Sequence, residues 1–395
     1  MFRPEALPSL PLYPEAWGGW GEAGGPASPK EGFTHRPGLV APTCRDPVRR
    51  SITRRASLQY CFPVPGRGGR QHGIASLDFS RRTMPSPNNT HFSPSSFVLA
   101  GMPGLEAARF WLAIPLCSMY LVAIVGNGAV VFIVKTELSL HAPMYIFLCM
   151  LAAIDLALST CTMPRMLSLL WFDWREISFG ACLLQMFLIH TLSAVESTVL
   201  LAMAWDRYMA ICHPLRHATI LTNPVTTKIG LAAVARGVLF FLPLPLLILR
   251  LSFCSSNVLS HSYCLHQDVM NLACTSTTVN VVYGLTAILL VMGLDALLIA
   301  LSYFMIIKAV LQLSSRKERV KAFSTCVAHL CVVLGFYVPL IGLSVVHRFG
   351  KGLALLVQVV MGDVYLLVPP VLNPIVYGAR TKQIRRRILR WILHH

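Results

Sequence analysis

Asp155 and Glu196 stand inside long apolar stretches, where an unpaired anion is expensive. Such acids must be protonated or must share a cation, so two chemistries are open: a hydrogen-bonded acid pair or a sodium site. Asp206-Arg207-Tyr208 closes another apolar stretch. An arginine at that depth needs a partner or a water-filled cavity, and the adjacent Asp206 can hold it in one arrangement and release it in another. Asn373-Pro374-Ile375-Val376-Tyr377 ends the last stretch, where the proline frees a carbonyl and permits a kink. With Asn127 and Asp155 these residues read as a polar network with two stable arrangements. Arg348 follows the apolar run Val338 to Val346. Its guanidinium either snorkels to the water boundary or turns inward as a bidentate clamp for a carboxylate. Asp295 reads as a lone acid near the cytoplasmic side with no ligand role. Enzyme chemistry lacks its parts: HExxH, GxSxG and GxxxxGK[ST] are missing, and the 12 cysteines include no CxxC pair that would signal zinc or redox work.

The elements that must position these residues are set by composition. Of the 395 residues, 55% are hydrophobic and 13% charged, far from the roughly 25% charged of a soluble domain. The formal charge of +17 suggests nucleic acid at first sight, but aromatic-plus-basic binding motifs are missing. Seven apolar segments, at about 111–134, 144–170, 182–209, 228–250, 279–308, 319–345 and 354–378, each approach the ~20 residues that cross a bilayer. Backbone groups in lipid must pair internally, so these segments are helices, and no barrel-type alternation is visible. The fold class is an all-α membrane protein, a seven-transmembrane helix bundle over 111–378.

Lys135, Arg216, Lys228, Lys308, Arg316, Lys317, Arg319, Lys321 and Arg385-Arg386-Arg387 fall in one set of connections; Asp173, Glu176 and Asp268 mark the other. The basic set faces the cytoplasm, which puts the lead segment 84–110 outside. Its sequon at Asn88-Asn89-Thr90 makes Asn88 a glycosylation candidate. Residues 379–395 place Ile384, Ile388, Leu389 and Trp391 among arginines, an amphipathic helix for an anionic inner leaflet. Residues 1–83, rich in Pro, Gly, Arg and Ser, read as disordered. Two readings stay open for them: a genuine tail, or an extension upstream of a natural start at Met84.

Several longer stretches carry a resemblance. Pro143-Met144-Tyr145, Met203 to Leu215 (MAWDRYMAICHPL), Lys321 to Cys326 and Pro369 to Tyr377 resemble the rhodopsin-like G-protein-coupled receptors, and among them the olfactory receptors. Leu259 to Asp268 (LSHSYCLHQD) and Val346-His347-Arg348-Phe349 resemble the fish-like class I branch, family 51. The match spans about 84–395. Trp205 stands where that family often has Phe, and segment 1–83 is foreign to it.

The resemblance implies a plasma-membrane odorant receptor that binds a small volatile ligand and activates a stimulatory G protein, raising cyclic AMP. Cys182, Cys254, Cys264 and Cys274 fall on the extracellular side of that topology and allow three pairings; the resemblance selects Cys182–Cys264 and Cys254–Cys274. It also places the ligand in the outer half of the bundle. There Arg348 serves as carboxylate clamp, His190, His266, Gln267 and Ser344 are polar companions, and Phe241, Leu244 and Gly284 form the apolar wall. Asp206, Arg207, Tyr208, Asn373, Pro374 and Tyr377 become the coupling switch. The rival class is an ion-coupled transporter, since intramembrane acids and proline-broken helices also mark ion pathways. Seven unequal segments without evident inverted repeats argue against it.

Overall fold

The computed structural model describes residues 94–254, 256–313, 315–349, 355–380 and 384–387; for Arg348 it describes the backbone alone. Asn88 and the residues 388–395 of the expected amphipathic helix lie outside the described residues.

A short strand, β1 (Ser96–Leu99), precedes α1 (Arg109–Thr136) and α2 (Pro143–Phe172). Then come β2 (Glu176–Ser178), α3 (Phe179–Cys212), α4 (Pro214–Ile220), α5 (Asn223–Phe241) and α6 (Pro243–Ile248). β3 (Val258–Leu259) and α7 (His266–Asn271) lie in the following loop. The chain ends with α8 (Thr278–Ile288), a π turn at Leu289–Gly293, α9 (Leu294–Leu311), α10 (Arg316–Phe349) and α11 (Leu355–Arg380). Seven of the described helical stretches are long and apolar enough to cross a membrane, and they overlap the seven sequence segments. Most overhang the expected bounds by a few residues, because a helix continues past the hydrocarbon edge until a breaker stops it, whereas the fourth stops at Ile248, two residues short. Asp173 is such a breaker: it closes α2 in the left-handed conformation (φ 56°), which aspartate tolerates, and its carboxylate binds Arg109 at 2.7 Å and Arg175 at 2.8 Å.

α1 packs on α2 and α11, α2 on α3, and α10 on α11, while α3 runs centrally against α2, α5, α9 and α10. Side chains buried along α3, including Met203 and Leu200, make it the axis of the core. Proline shapes the elements around it. Pro243 and Pro245 separate α5 from α6. In α11, Pro374 has no N–H to give to the carbonyl of Pro370, and Asn127 of α1 donates its Nδ2 there instead, at 2.8 Å. Gly126 permits that approach, since a Cβ on it would stand 2.8 Å from Pro374 Cβ.

The sequence gives no hint of strands, yet three pair over one end of the bundle in the order β2-β1-β3. β1 runs antiparallel to β2, with Phe97 opposite Ile177, and parallel to β3, with Leu99 opposite Leu259. Phe97 and Leu99 are fully buried against Phe253 and Met186. The strands escape a periodicity reading because each is four residues or shorter.

Candidate functional site

The outer cluster begins at Cys182, in the first turn of α3, which is disulfide-bonded to Cys264 with Cα atoms 5.5 Å apart. The bond carries the strand-and-α7 loop inward over the bundle. Gln185 fixes it further, accepting from the Cys264 N–H and donating to the Cys161 carbonyl, both at 3.0 Å. A second bond joins Cys254 to Cys274, Cα atoms 5.9 Å apart, and closes the loop on itself.

Two residues beyond Cys264, His266 opens α7 and points at α3. Its ring meets that of His190 edge-on at 6.3 Å, and His190 stacks on Phe241 at 5.7 Å and 12°. A Cβ on Gly284 would stand 3.5 Å from His266 Cε1 and 3.7 Å from Leu244 Cδ2. Five of the expected ligand residues, from α3, α5, α6, α7 and α8, therefore share one spot. Burial, and after it the neighbouring His190, pushes the His266 imidazole down to about 3, so it is neutral at pH 7. Its Nε2 is buried without a protein partner. Gln267, partly buried, follows on α7. Ser344 lies elsewhere, on an apolar cleft of about 210 Å³ between α10 and the α8–α9 segment, beside Tyr337 and Met292. Arg348 is in the last turn of α10, and its side chain lies outside the described residues.

Deeper in the bundle, Asn373 donates to Asp155 Oδ2 at 2.9 Å. Asp155 Oδ1, both Glu196 carboxylate oxygens and Asn373 Oδ1 are buried without protein partners. Nearby, Tyr365 donates to Ser193 at 2.6 Å. This is an all-oxygen donor set, the kind suited to a hard cation, and the same oxygens can share protons. No group of three or more His, Cys, Asp or Glu among the described residues could hold a metal.

Asp295 departs from its sequence reading. It stands midway along the fifth span, not near the cytoplasmic side, and it is paired. Arg236 of α5 reaches its two oxygens at 2.9 and 2.8 Å, and Ser197 of α3 donates to it at 2.8 Å while bonding Tyr337 of α10 at 2.8 Å. The second Arg236 nitrogen donates to the carbonyls of Val291 and Leu290, inside the π turn. A π turn shifts the backbone pairing register, and the guanidinium satisfies the carbonyls it releases. Sequence reading missed Arg236, although an arginine in an apolar run is itself a flag.

At the opposite end, Asp206 accepts from His217 of α4 at 2.9 Å, and no ion pair among the described residues joins it to Arg207. Arg207 instead faces Tyr303, His329 and Tyr377, close enough to act on each electrostatically. Tyr303 bonds His329 at 2.6 Å, and the Tyr377 hydroxyl is buried without a protein partner. Asp206 thus holds the α4 loop, and Arg207 is turned toward α9, α10 and α11. The tail docks through Arg387, paired with Glu137 at 2.8 Å.

Known proteins resemble this chain over most of its length. Residues 116–395 match the family model described as olfactory receptor. The chain is 71% identical over 302 residues to Olfactory receptor 51E2 of Homo sapiens, covering 76% of this chain and 94% of that protein. It is 62% identical over 307 residues to Olfactory receptor 51E1 of Homo sapiens, covering 78% and 96%. Squid rhodopsin superposes with a TM-score of 0.60 at 17% identity, covering 73% of this chain and 87% of that one, a likeness of fold alone.

Proposed function

The chain belongs to the olfactory receptor family, an odorant-sensing G-protein-coupled receptor of the plasma membrane and not an enzyme, and from that premise we propose that its odorant is a small carboxylic acid. The observation that carries this reading is the convergence of His190 and His266 with Phe241, Leu244 and Gly284. The neutral His266 imidazole supplies hydrogen bonds without drawing a second anion, and the aromatic and aliphatic wall fits a short alkyl chain. Arg348, at the outer end of α10, supplies the fixed positive charge that a carboxylate needs.

A population shift links binding to signalling. The acid binds better when α10 and α3 close around it, and that closure favours an arrangement open at the Arg207 end. The opened end takes the C-terminal helix of a stimulatory G-protein α subunit into a groove, and cyclic AMP rises. In this orientation the Lys135, Arg216 and Lys308 side is cytoplasmic, and β1 with its sheet lies outside. Asp155, Glu196 and Asn373 hold a sodium ion in the resting arrangement, which their four unpartnered oxygens favour over a shared proton alone.

The test is a cyclic AMP assay on the surface-expressed receptor with aliphatic acids, their alcohols and their methyl esters, and with Arg348→Ala in parallel. The expected result is a response to acids alone, reduced at least roughly tenfold in Arg348→Ala at equal surface level, as loss of one charge-assisted bond implies. A response to neutral esters that survives the substitution refutes the carboxylate reading and leaves the receptor.

A further inference from the structure

On the outside of the bundle, the halves of α3, α5 and α9 nearest Asp206-Arg207-Tyr208 leave a groove of about 530 Å³. Its walls include Ala202 and Trp205 of α3, Ile229 of α5, and Leu298, Leu301 and Met305 of α9. The groove runs along α3 from Thr198 to Tyr208, a rise of about 15 Å, roughly half of the hydrocarbon thickness and so the depth of one leaflet. Its inside offers little polarity: the Ser302 hydroxyl is spent on the Leu298 carbonyl at 2.8 Å.

The rim is different. The α9 stripe that lines the groove, Leu298, Leu301 and Met305, reaches Lys308 one turn further on, and Lys228 precedes Ile229 at the same end. Both lysines are exposed, and neither joins an acid in an ion pair among the described residues. An apolar trough one leaflet deep beneath two unanswered ammonium groups matches an acyl chain carrying an anionic head. A sterol brings one neutral hydroxyl and leaves both charges unmet.

We propose that this groove binds one anionic glycerophospholipid. Its acyl chain lies along Trp205 and Leu301, and its headgroup sits on Lys228 and Lys308. The inner end of the groove is Thr198, whose hydroxyl accepts from Arg236 at 2.9 Å and donates to the Ala194 carbonyl at 3.0 Å, beside the Asp295 carboxylate. The lipid therefore packs against a joint of the network that holds α3, α5 and α9 together, and its occupancy stabilises that arrangement.

The experiment is native mass spectrometry of the full-length receptor released from nanodiscs of equal phosphatidylcholine and phosphatidylserine. One phosphatidylserine is expected per receptor, retained roughly tenfold over phosphatidylcholine, as two lysines beside an anionic head imply. Lys228→Gln with Lys308→Gln should equalise the two lipids. Ser302→Phe, which fills the trough, should abolish retention, and Lys135→Gln on α1 should change nothing. Thermal unfolding in phosphatidylcholine alone checks that each variant is folded, and the exposed lysine pair keeps its arm of the test even where Ser302→Phe does not fold. Equal retention of both lipids by the unaltered receptor overturns the proposal. So does phosphatidylserine retention that survives in folded Ser302→Phe, because it reduces the lysines to a general attraction for an anionic surface. Displacement of the phospholipid by cholesterol at equal mole fraction overturns it as well.

Discussion

His266 shows how one buried side chain limits the chemistry of the outer cluster. Its imidazole is pushed down to about 3 by burial, whereas in the unfolded chain it titrates near 6.5. Between those values the unfolded state binds the proton and the folded state does not, so stability falls as pH drops from about 6.5 toward 3. Lowering the pH from 7 to 5 should therefore lower the melting temperature of the purified receptor, and lower it less in His266→Gln; an equal drop in both would assign the imidazole no such role. The acid pair makes a second claim at this scale. If Asp155, Glu196 and Asn373 hold sodium, sodium at ten times its Kd stabilises the resting receptor by about 1.4 kcal/mol. Differential scanning fluorimetry in sodium against N-methylglucamine should show that gain, absent in Glu196→Gln, and identical curves for the unaltered receptor would favour the shared proton. The acids themselves were legible in the sequence because a carboxylate in apolar text has few harmless explanations. Their unpartnered oxygens were not, since that depends on which helices meet.

At the scale of elements, the seven spans were legible to within a few residues because length and hydropathy alone define them. The links between spans were not. Asp295 and Arg236 lie on different helices, each a lone charge until the fold brings them to 2.8 Å. His217 meets Asp206 only because α4 folds back beneath α3. The Arg236–Asp295 pair is buried on the acid side and a quarter exposed on the other, so breaking it from either side leaves one charge without its partner. Asp295→Leu or Arg236→Met alone should cost about 3–5 kcal/mol, and the double substitution should recover most of that. A thermal-stability cycle measures it; additive losses would mean that the pair is not the link between α5 and the π turn.

Across the whole molecule, one end gathers a buried, partly aromatic cluster under a disulfide-pinned sheet, and the other presents Arg207 near Tyr377. Between them lie two polar clusters at one level of α3, Asp155 with Glu196 and Asn373, and Asp295 with Arg236, Ser197 and Tyr337. Tyr337 belongs to α10, the helix whose last turn holds Arg348, so in the proposed coupling a ligand drawing on the outer end of α10 pulls on the helix that carries the Ser197 bond. This continuity is the physical content of the proposed coupling, and no single motif in the sequence expresses it.

The most direct measurement is nucleotide exchange on a purified stimulatory α subunit, driven by the reconstituted receptor with and without a short aliphatic acid. It is repeated with Gly284→Phe, which puts a ring into the wall between His266 and Leu244 while leaving the far end of the bundle untouched. The account predicts acid-stimulated exchange by the unaltered receptor and its loss in Gly284→Phe that still melts cooperatively. Undiminished stimulation in Gly284→Phe would contradict it, because the ligand would then be acting outside the cluster.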